Sequence, residues 1–328
     1  MSKKLKRVLV IRFNSIGDLI LCSPVIRQLN KSGYEVDFLV KENYKYIVKD
    51  NPCISKLITY QGNFWECLKI LRSRSYDHII DLHNNLRSRL FTAALLKPVS
   101  RFQKKPLEDF LLTRFSSFRT QRKHVVFRFL QTLKPLISEI PESPCLEYHG
   151  LGDLPSGFKL PDDYIAVSIA SAFATKDIPE DHLLKVFNTL PHQFVLLGSK
   201  KDLPLADRLI AQTSNANVFS AVSKLNLHQT ASVIEKASVL LTGDSGLMHM
   251  AAALGTATVS VFGSTHPILG YTAFHKPEIK DSIIQNNALD CRPCTKQGRK
   301  GCPKGHFKCM RDISVEEMLA KVEQMASQ

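Results

Sequence analysis

Residues 7–40 read RVLVIRFNSIGDLILCSPVIRQLNKSGYEVDFLV, and this stretch decides the fold class. An apolar run over residues 7–13 predicts a buried parallel strand, the turn NSIG follows it, and residues 19–31 have the composition of a helix. A second apolar run over residues 35–40 predicts the next strand. A strand, a helix and a further parallel strand in this order open a doubly wound α/β sheet.

The same alternation of apolar runs and helical segments continues along the chain. It restarts after a span rich in proline and glycine, as at a domain boundary. We therefore predict two Rossmann-like domains, residues 1–155 and residues 156–328. Further strands are predicted at 57–60, 77–82, 164–169, 193–197, 239–242 and 258–262, and further helices at 64–74, from 87 onward, 180–190, 203–213, 227–236, 246–254 and 314–325, where Ser314 and Glu317 form a capping box.

The positive charge of the chain is concentrated in its first half. The net charge is +14, and residues 1–150 hold 26 basic and 13 acidic residues. Residues 97–134 alone contain ten Lys or Arg, two acids and six phenylalanines, which predicts a basic and helical stretch. A hydrophobic content of 44% excludes wholesale disorder.

The first apolar run is too short for a secretory signal, and no run approaches the length of a spanning helix. We therefore expect a cytosolic protein whose eight cysteines stay reduced.

Two charged residues follow predicted strands at the sheet edge where reacting groups are found. Asp18 comes after the first strand and is suited to act as a general base, although a helix-capping role fits the same spacing. Lys176, in the loop SIASAFATKDIP with Ser171, is suited to neutralise phosphate oxygens, although an ordinary solvated lysine has the same appearance.

The stretch TGDSGLMHMAAALG, residues 242–255, predicts a strand, a glycine turn and a helix whose first N–H groups form an anion site. His249 lies on the first helical turn and is a candidate contact to phosphate or ribose; a solvated or core histidine with a capping Asp244 is the alternative. In the first domain, the segment IDLHNNLRSR predicts a similar turn. Its candidate acceptor-binding residues are His83, Asn84, Asn85 and Arg87, with loop and capping chemistry as the alternative.

The C-terminal cysteines follow the spacing C-x2-C-x7-C-x6-C. Four thiolates, or three with His306, suit tetrahedral zinc, while a reduced, loop-forming segment is the alternative. The four residues are Cys291, Cys294, Cys302 and Cys309.

Together, RFNSIGDLILCSP, GDSGLMHMAAALG with VFG, and CRPC with CPKGHFKCM resemble glycosyltransferase family 9, the ADP-heptose:lipopolysaccharide heptosyltransferases. The resemblance covers nearly the whole chain. It implies a GT-B fold, with two Rossmann-like domains facing across a cleft, the acceptor on the first and the nucleotide sugar on the second. It also implies an inverting single displacement that requires no cofactor or metal.

The resemblance assigns roles to individual residues. Asp18 matches the catalytic base and Lys176 the phosphate-binding lysine. The substrate or nucleotide contacts it implies are Ser15, Gly17, Ser171, Asp244, Ser245, Gly246, Leu247 and His249. Departures at Ala172, Ile178 and Ser245 leave the donor open, and another nucleotide sugar such as an N-acetylhexosamine donor is the alternative.

A more distant alternative is a basic nucleic-acid-binding protein, which the missing finger spacing and the two α/β halves disfavour. The expected partners are ADP-heptose, a phosphorylated glycolipid acceptor and the anionic surface of the inner membrane, and no nucleic acid. The basic stretch 97–134 is the predicted membrane surface, and a solvated basic face with core phenylalanines is the alternative.

Overall fold

A computed structural model of the chain describes residues 6–115 and 120–327 and forms two compact α/β units. The first unit combines Met1–Lys105 with Lys123–Gly150, and the second combines Pro106–Arg122 with Leu151–Gln328. A short segment of the first half of the sequence is thus part of the second unit. The domain boundary at residue 155 stays a prediction.

The first unit is built on a five-stranded sheet in which all neighbouring strands are parallel. The order is β3-β2-β1-β4-β5. The strands are β1 (Arg7–Ile11), β2 (Glu35–Lys41), β3 (Lys56–Tyr60), β4 (His78–Asp81) and β5 (Val99–Arg101). The helices of this unit are α1 (Ile16–Ile20), α2 (Ser23–Lys31), α3 (Phe64–Arg72), α4 (Leu86–Leu95) and α6 (Val125–Leu130), while α5 (Pro106–Arg114) belongs to the second unit.

The second unit is built on a six-stranded parallel sheet in the order β11-β10-β9-β6-β7-β8. Its strands are β6 (Ile165–Ser168), β7 (Phe194–Leu197), β8 (Val218–Ser220), β9 (Val239–Gly243), β10 (Ala257–Phe262) and β11 (Asp281–Gln285). Its further helices are α7 (Glu180–Thr189), α8 (Leu203–Gln212), α9 (Leu227–Lys236), α10 (Gly246–Leu254), α11 (Lys308–Arg311) and α12 (Val315–Ala326). The predicted fold class of two doubly wound α/β domains is confirmed.

Each sheet reverses its strand order once, between its first strand and the strand that pairs with it on the other side. In the first unit this switch point lies between β1 and β4, where Ile11 pairs with Asp81. In the second it lies between β6 and β9, where Ser168 pairs with Thr242. Ligands of doubly wound sheets bind at the carboxyl ends of the strands at such a point. The predicted site residues follow these four strands.

The first predicted helix is wrong as a single element. The structure divides residues 19–31 between α1 and α2, with Leu21 and Cys22 between the two helices. Pro24 causes the break, because it has no N–H to donate to the carbonyl of Ile20 and its ring crowds the preceding turn. The break leaves α1 as a five-residue helix. Its first turn, which carries Asp18, follows the carboxyl end of β1.

The basic stretch 97–134 is not one helical surface. It contains β5, α5 and α6, and α5 belongs to the other unit. Phe102 and Phe129 are core residues, with ring centroids 4.8 Å apart, whereas Phe110 and Phe115 are exposed. Phe118, another phenylalanine of the predicted stretch, lies outside the described residues. The stretch is therefore divided between the two units, and its role at a membrane surface stays a prediction.

Three strands were not predicted, because β5 and β8 have only three residues each and β11 has only two apolar residues among its five. At the other end of the chain, the hydroxyl of Ser314 accepts the Glu317 N–H at 3.0 Å, as the capping prediction requires. Within residues 6–115 and 120–327, no helix combines the length and the apolar composition needed to cross a bilayer.

Candidate functional site

At the carboxyl end of β1, a buried arginine holds the carboxylate of Asp18. The Arg12 guanidinium forms an ion pair with Asp18 Oδ2 and donates to the carbonyls of Asn14, at 2.8 Å, and Leu82, at 2.7 Å. The Ser15 hydroxyl donates to the same Asp18 oxygen at 3.0 Å. These two contacts hold the Asp18 carboxylate in one orientation on the first turn of α1, whose Gly17 is buried.

The loop after β4 is organised by Asp81, a residue that our sequence reasoning did not select. Its fully buried carboxylate accepts the N–H groups of His83 at 3.1 Å and Asn84 at 2.7 Å, and the hydroxyl of Ser88 at 2.8 Å. An Asp two residues before a turn often makes such bonds, so Asx-turn chemistry was the available signal.

His83 is presented beside Asp18 as a neutral imidazole. Its ring packs edge-on against Phe13, with centroids 5.3 Å apart. Burial, together with the charges of Arg12 and Lys104, lowers the pKa of His83 to about 3. Nδ1 is buried and makes no hydrogen bond within the described residues, so the ring has an unused polar atom beside the candidate base.

The other three candidate acceptor residues have different surroundings. Asn85 caps α4 through a reciprocal capping box with Ser88, so its side chain is already engaged. Asn84 donates to the Phe102 carbonyl at 2.8 Å. Arg87 lies over the ring of Tyr60, 5.1 Å from its centroid. The acceptor roles of these residues stay predictions.

In the second unit, the structure brings Lys176 and Asp244 together. Lys176 Nζ lies 2.9 Å from Asp244 Oδ2, and the two side chains are 12% and 11% exposed. Lys176 is therefore not a solvated lysine. An ammonium group has three N–H donors, so two remain for a ligand.

The loop that carries Lys176 is pressed against two glycines. A Cβ at Gly243 would lie 2.1 Å from the Lys176 carbonyl oxygen, and one at Gly298 would lie 2.7 Å from Lys176 Cδ. Thr175, beside it, is anchored through its hydroxyl, which donates to the Arg299 carbonyl at 3.0 Å and accepts the Arg299 N–H at 2.8 Å. The cysteine-rich segment thus holds the residue next to Lys176 in place. Thr175 and Arg299, which make this contact, are 124 residues apart in the sequence.

Ser171 stands at the start of this loop. Its N–H donates to Asp177 Oδ1 at 2.6 Å and its hydroxyl donates to the Phe173 carbonyl at 2.8 Å. Burial is the main cause that raises the pKa of Asp177. These bonds fix the turn that leads to Lys176.

The N-terminus of α10 follows β9 at the same edge. Ser245 is its N-cap and accepts the Met248 N–H, while Gly246 and Leu247 begin the helix and are half-buried. Asp244 precedes the cap and does not itself cap the helix. His249 is 5% exposed and lies near His275, whose pKa is lowered to about 4 by burial and by His249. A phosphate or ribose contact by His249 stays a prediction.

Arg292, between the two cysteines of CRPC, holds the C-terminal segment against the sheet. It is 1% exposed, and its guanidinium donates to the carbonyls of Gly263 and Phe262, both at 2.8 Å, and of Thr265, at 2.9 Å. A further donation reaches Gln285 at 3.0 Å. These bonds hold the segment as a loop. The partners of Arg292 are distant in the sequence, so its role could not be predicted from a local pattern.

The cysteines are free thiols in this loop, and burial is the main cause that raises the pKa of Cys309 to about 11. His306 Nε2 lies 3.8 Å from Cys291 Sγ, and the Cys294 thiol donates to the Cys291 carbonyl at 3.1 Å. Among the residues that the structure describes, no three His, Cys, Asp or Glu side chains are arranged to hold a metal ion. The predicted zinc set is therefore not assembled, and no chemical step is derived through a metal.

The two switch points thus offer complementary chemistry. The first presents the Asp18 carboxylate, and the second presents Lys176 and the N-terminus of α10. A carboxylate suits proton abstraction from a hydroxyl, and the cationic site suits a diphosphate leaving group.

The chain belongs to glycosyltransferase family 9 (heptosyltransferase), whose family model matches residues 64–305. It is similar to lipopolysaccharide heptosyltransferase 1 of Pseudomonas aeruginosa, with 26% identity over 95% of this chain and 93% of that protein. It is a glycosyltransferase, and the nucleic-acid-binding alternative was wrong.

Solved structures extend the likeness to the whole fold, which is GT-B. A family 9 glycosyl transferase from Veillonella parvula has a TM-score of 0.76 at 20% identity, over 99% of this chain and 98% of that one. The Escherichia coli heptosyltransferase WaaC with ADP-2-deoxy-2-fluoro heptose has a TM-score of 0.70 at 18% identity, over 97% and 99%. A more distant neighbour, the E. coli glycosyltransferase TibC, is iron-containing, with a TM-score of 0.58 at 12% identity, over 98% and 77%.

Proposed function

We propose that this enzyme transfers a heptose from ADP-heptose to a phosphorylated lipopolysaccharide core acceptor, with inversion in one displacement. The named relatives and the sugar-nucleotide complex of WaaC support the donor. The observation that carries the proposal is the opposite charge at the two switch points, a carboxylate in one unit and a lysine in the other.

In the second unit, the diphosphate is bound at Lys176 and the N-terminus of α10. Lys176 keeps two N–H donors beside its contact to Asp244, and the first N–H groups of α10 follow Ser245. As the bond between the anomeric carbon and the phosphate oxygen breaks, its electron pair stays on ADP. The lysine and the helix N-terminus stabilise that growing charge.

In the first unit, Asp18 accepts the proton of the acceptor hydroxyl as its oxygen attacks the anomeric carbon. Arg12 and Ser15 hold the carboxylate in one orientation, which places the base before the reaction begins. His83 is neutral at pH 7, and its buried Nδ1 is suited to a hydrogen bond with the acceptor.

The displacement as proposed needs no metal, because Lys176 and the helix N-terminus supply the positive potential opposite the diphosphate. The acceptor is an amphiphile, so we also place the enzyme at the cytosolic face of the inner membrane as a peripheral protein. The excess of basic over acidic residues in residues 1–150 favours that anionic surface.

Asp18→Asn should abolish transfer while leaving the affinity for ADP nearly unchanged. The amide cannot accept the acceptor proton, but Asp18 lies in the unit that does not carry the Lys176 site. Transfer from ADP-heptose to truncated lipopolysaccharide acceptors is followed by mass spectrometry, and ADP binding by calorimetry. We expect a fall in rate of at least about a thousandfold.

Asp207→Asn, at an exposed position in the second unit, is the control and should retain full activity. Normal turnover by Asp18→Asn would remove Asp18 as the base. Ala172 and Ile178, in the loop that carries Lys176, depart from the family pattern, so the donor is tested as well. Transfer from a UDP-N-acetylhexosamine but not from ADP-heptose would show that the proposed donor is wrong.

A further inference from the structure

Helices α3 and α4 present large apolar side chains to solvent. On α4, Leu86 is 77% exposed and Leu90 is 51% exposed, and Leu96, just after the helix, is 87% exposed. On α3, Trp65 is 74% exposed. These four residues define what we call the α3–α4 face. Their exposure is not explained by the core of the first unit, which packs the opposite side of both helices.

The two helices form a continuous layer on one side of the sheet. The rings of Phe64 and Phe91 pack between them, with centroids 4.5 Å apart. At the C-terminal end of α3, Arg72 donates to the Ala94 carbonyl of α4 at 3.1 Å. Trp65, Lys69 and Arg72 lie on one stripe of α3, and Leu86 and Leu90 lie one turn apart on α4. The stripe that carries Trp65 is therefore the one that reaches α4 through Arg72.

The charges on this surface are almost all positive. In these two fully described helices and the two residues after α4, one exposed acid, Glu66, stands against four exposed basic residues. The basic residues are Lys69, Arg72, Arg89 and Lys97. Large apolar side chains among basic ones, with a tryptophan, are typical of a protein surface that lies in the interface of a membrane.

A basic groove continues the charge at the sheet edge beside α4. It has a volume of about 500 Å³ and runs along β5 and the start of the segment after α6. Its charged lining residues are Arg101, Lys105, Arg128 and Lys134, and no acidic residue is among its described lining residues. Arg101 donates to Thr92 of α4 at 2.8 Å, which ties the groove to that helix.

A second copy of the chain does not suit this surface. A two-fold interface would set the four basic residues of one α3–α4 face against the same four of the other. Removing like charges from water against each other is costly. An anionic surface instead satisfies both the charges and the apolar side chains.

We propose that the α3–α4 face, flanked by the groove along β5, is the surface by which the protein docks on an anionic phospholipid bilayer. Trp65 and the three leucines enter the headgroup region, and the lysines and arginines pair with lipid phosphates. The inference rests on the membrane partner proposed above, but not on the transfer reaction itself.

Trp65 reports on this docking directly, because it is the single tryptophan of the chain. Its emission should shift to the blue and be quenched by brominated lipids when vesicles with about 30 mol% phosphatidylglycerol in phosphatidylcholine are added at low salt. Pure phosphatidylcholine vesicles should give a weak response, and about 0.5 M salt should reverse most of the binding.

Two variants separate the apolar and the charged contributions. Leu86→Ser/Leu90→Ser keeps the tryptophan and should raise the lipid concentration for half-maximal binding at least about tenfold. Lys69→Glu/Lys97→Glu should weaken binding to anionic vesicles by a similar factor and abolish its salt dependence. The matched controls lie in the second unit: Ile210→Ser/Phe219→Ser for exposed apolar residues and Lys224→Glu/Lys236→Glu for exposed lysines.

Vesicle binding and sugar transfer by the variants together decide the result. The α3–α4 variants should lose vesicle binding while they transfer sugar to a soluble, deacylated acceptor at the wild-type rate. An unchanged Trp65 spectrum, equal losses in the control variants, or a dimer that Leu86→Ser/Leu90→Ser dissociates would overturn the proposal. Vesicle binding without any transfer activity in the wild type would instead refute the proposed function and leave the docking surface standing.

Discussion

Asp18 and Lys176 are the residues on which the proposed chemistry depends, and both were predicted from segments that follow a strand. Their local partners are close in sequence or follow a neighbouring strand, so the pattern carries their position. Arg292 has partners on β10, on β11 and in the loops that follow them, which only the folded chain brings together. Sequence reasoning therefore selected the two charged residues of the proposed site. It missed Arg292, which holds the C-terminal segment against the sheet.

Lys176→Ala should weaken ADP binding by about tenfold or more, since a hydrogen bond to a charged group contributes about 1.5–3 kcal/mol. It should also slow transfer, because the leaving diphosphate loses its cation. Calorimetry with ADP and single-turnover rates measure the two effects. Lys200→Ala, an exposed lysine of the same unit, is the control. Equal ADP affinity and rate in Lys176→Ala and wild type would exclude the lysine from the site.

At the scale of elements, the order of helices and strands was predictable and several boundaries were not. The apolar central strands and the amphipathic helices carry a strong sequence signal. Pro24 divides the first helix, the strands β5 and β8 have only three residues each, and β11 has only two apolar residues. The turn between β9 and α10 was recognised, but the reason for Gly243 became visible only with the Lys176 loop against it.

Gly243→Ala should destabilise the protein by at least about 3 kcal/mol, because its methyl group would overlap the backbone carbonyl of Lys176. Relief of that overlap must displace the Lys176 loop, so ADP affinity should fall as well. Urea unfolding followed by circular dichroism gives the free energy. Gly301→Ala, where an added Cβ has no neighbour within 4 Å, should differ from wild type by less than about 1 kcal/mol. A Gly243→Ala protein as stable as wild type would contradict the packing described for this turn.

At the scale of the whole molecule, the two units divide the sequence unevenly. Helix α5 comes from the first half of the chain but is anchored in the second unit through Asp109. Its carboxylate accepts from Lys296 Nζ at 2.9 Å and pairs with Arg122, whose N–H donates to the Ile268 carbonyl at 3.0 Å. Burial alone would raise the pKa of Asp109, but its bonds to Lys296 and Arg122 outweigh burial and hold the pKa below its ordinary value.

Asp109→Asn should therefore cost about 1–2 kcal/mol of stability at pH 7. A carboxyl group with a lowered pKa stabilises the fold above its unfolded pKa, and this contribution is lost as pH falls through the folded value. The difference between wild type and variant should thus shrink below about pH 4. Urea unfolding at several pH values measures it, and Glu278→Gln, at an exposed position of the same unit, is the control. A difference that is constant with pH would show that the ionised carboxylate is not responsible.

The uneven division of the sequence between the two units also affects recombination between related enzymes. A hybrid that joins the first half of this chain to the second half of a relative at residue 150 would separate α5 from Lys296 and from the loop containing Ile268. Recombination at that point therefore carries a mismatched helix into the new protein. A functional graft would take residues 106–122 from the parent that supplies the C-terminal half, so that the inherited unit is discontinuous in the gene.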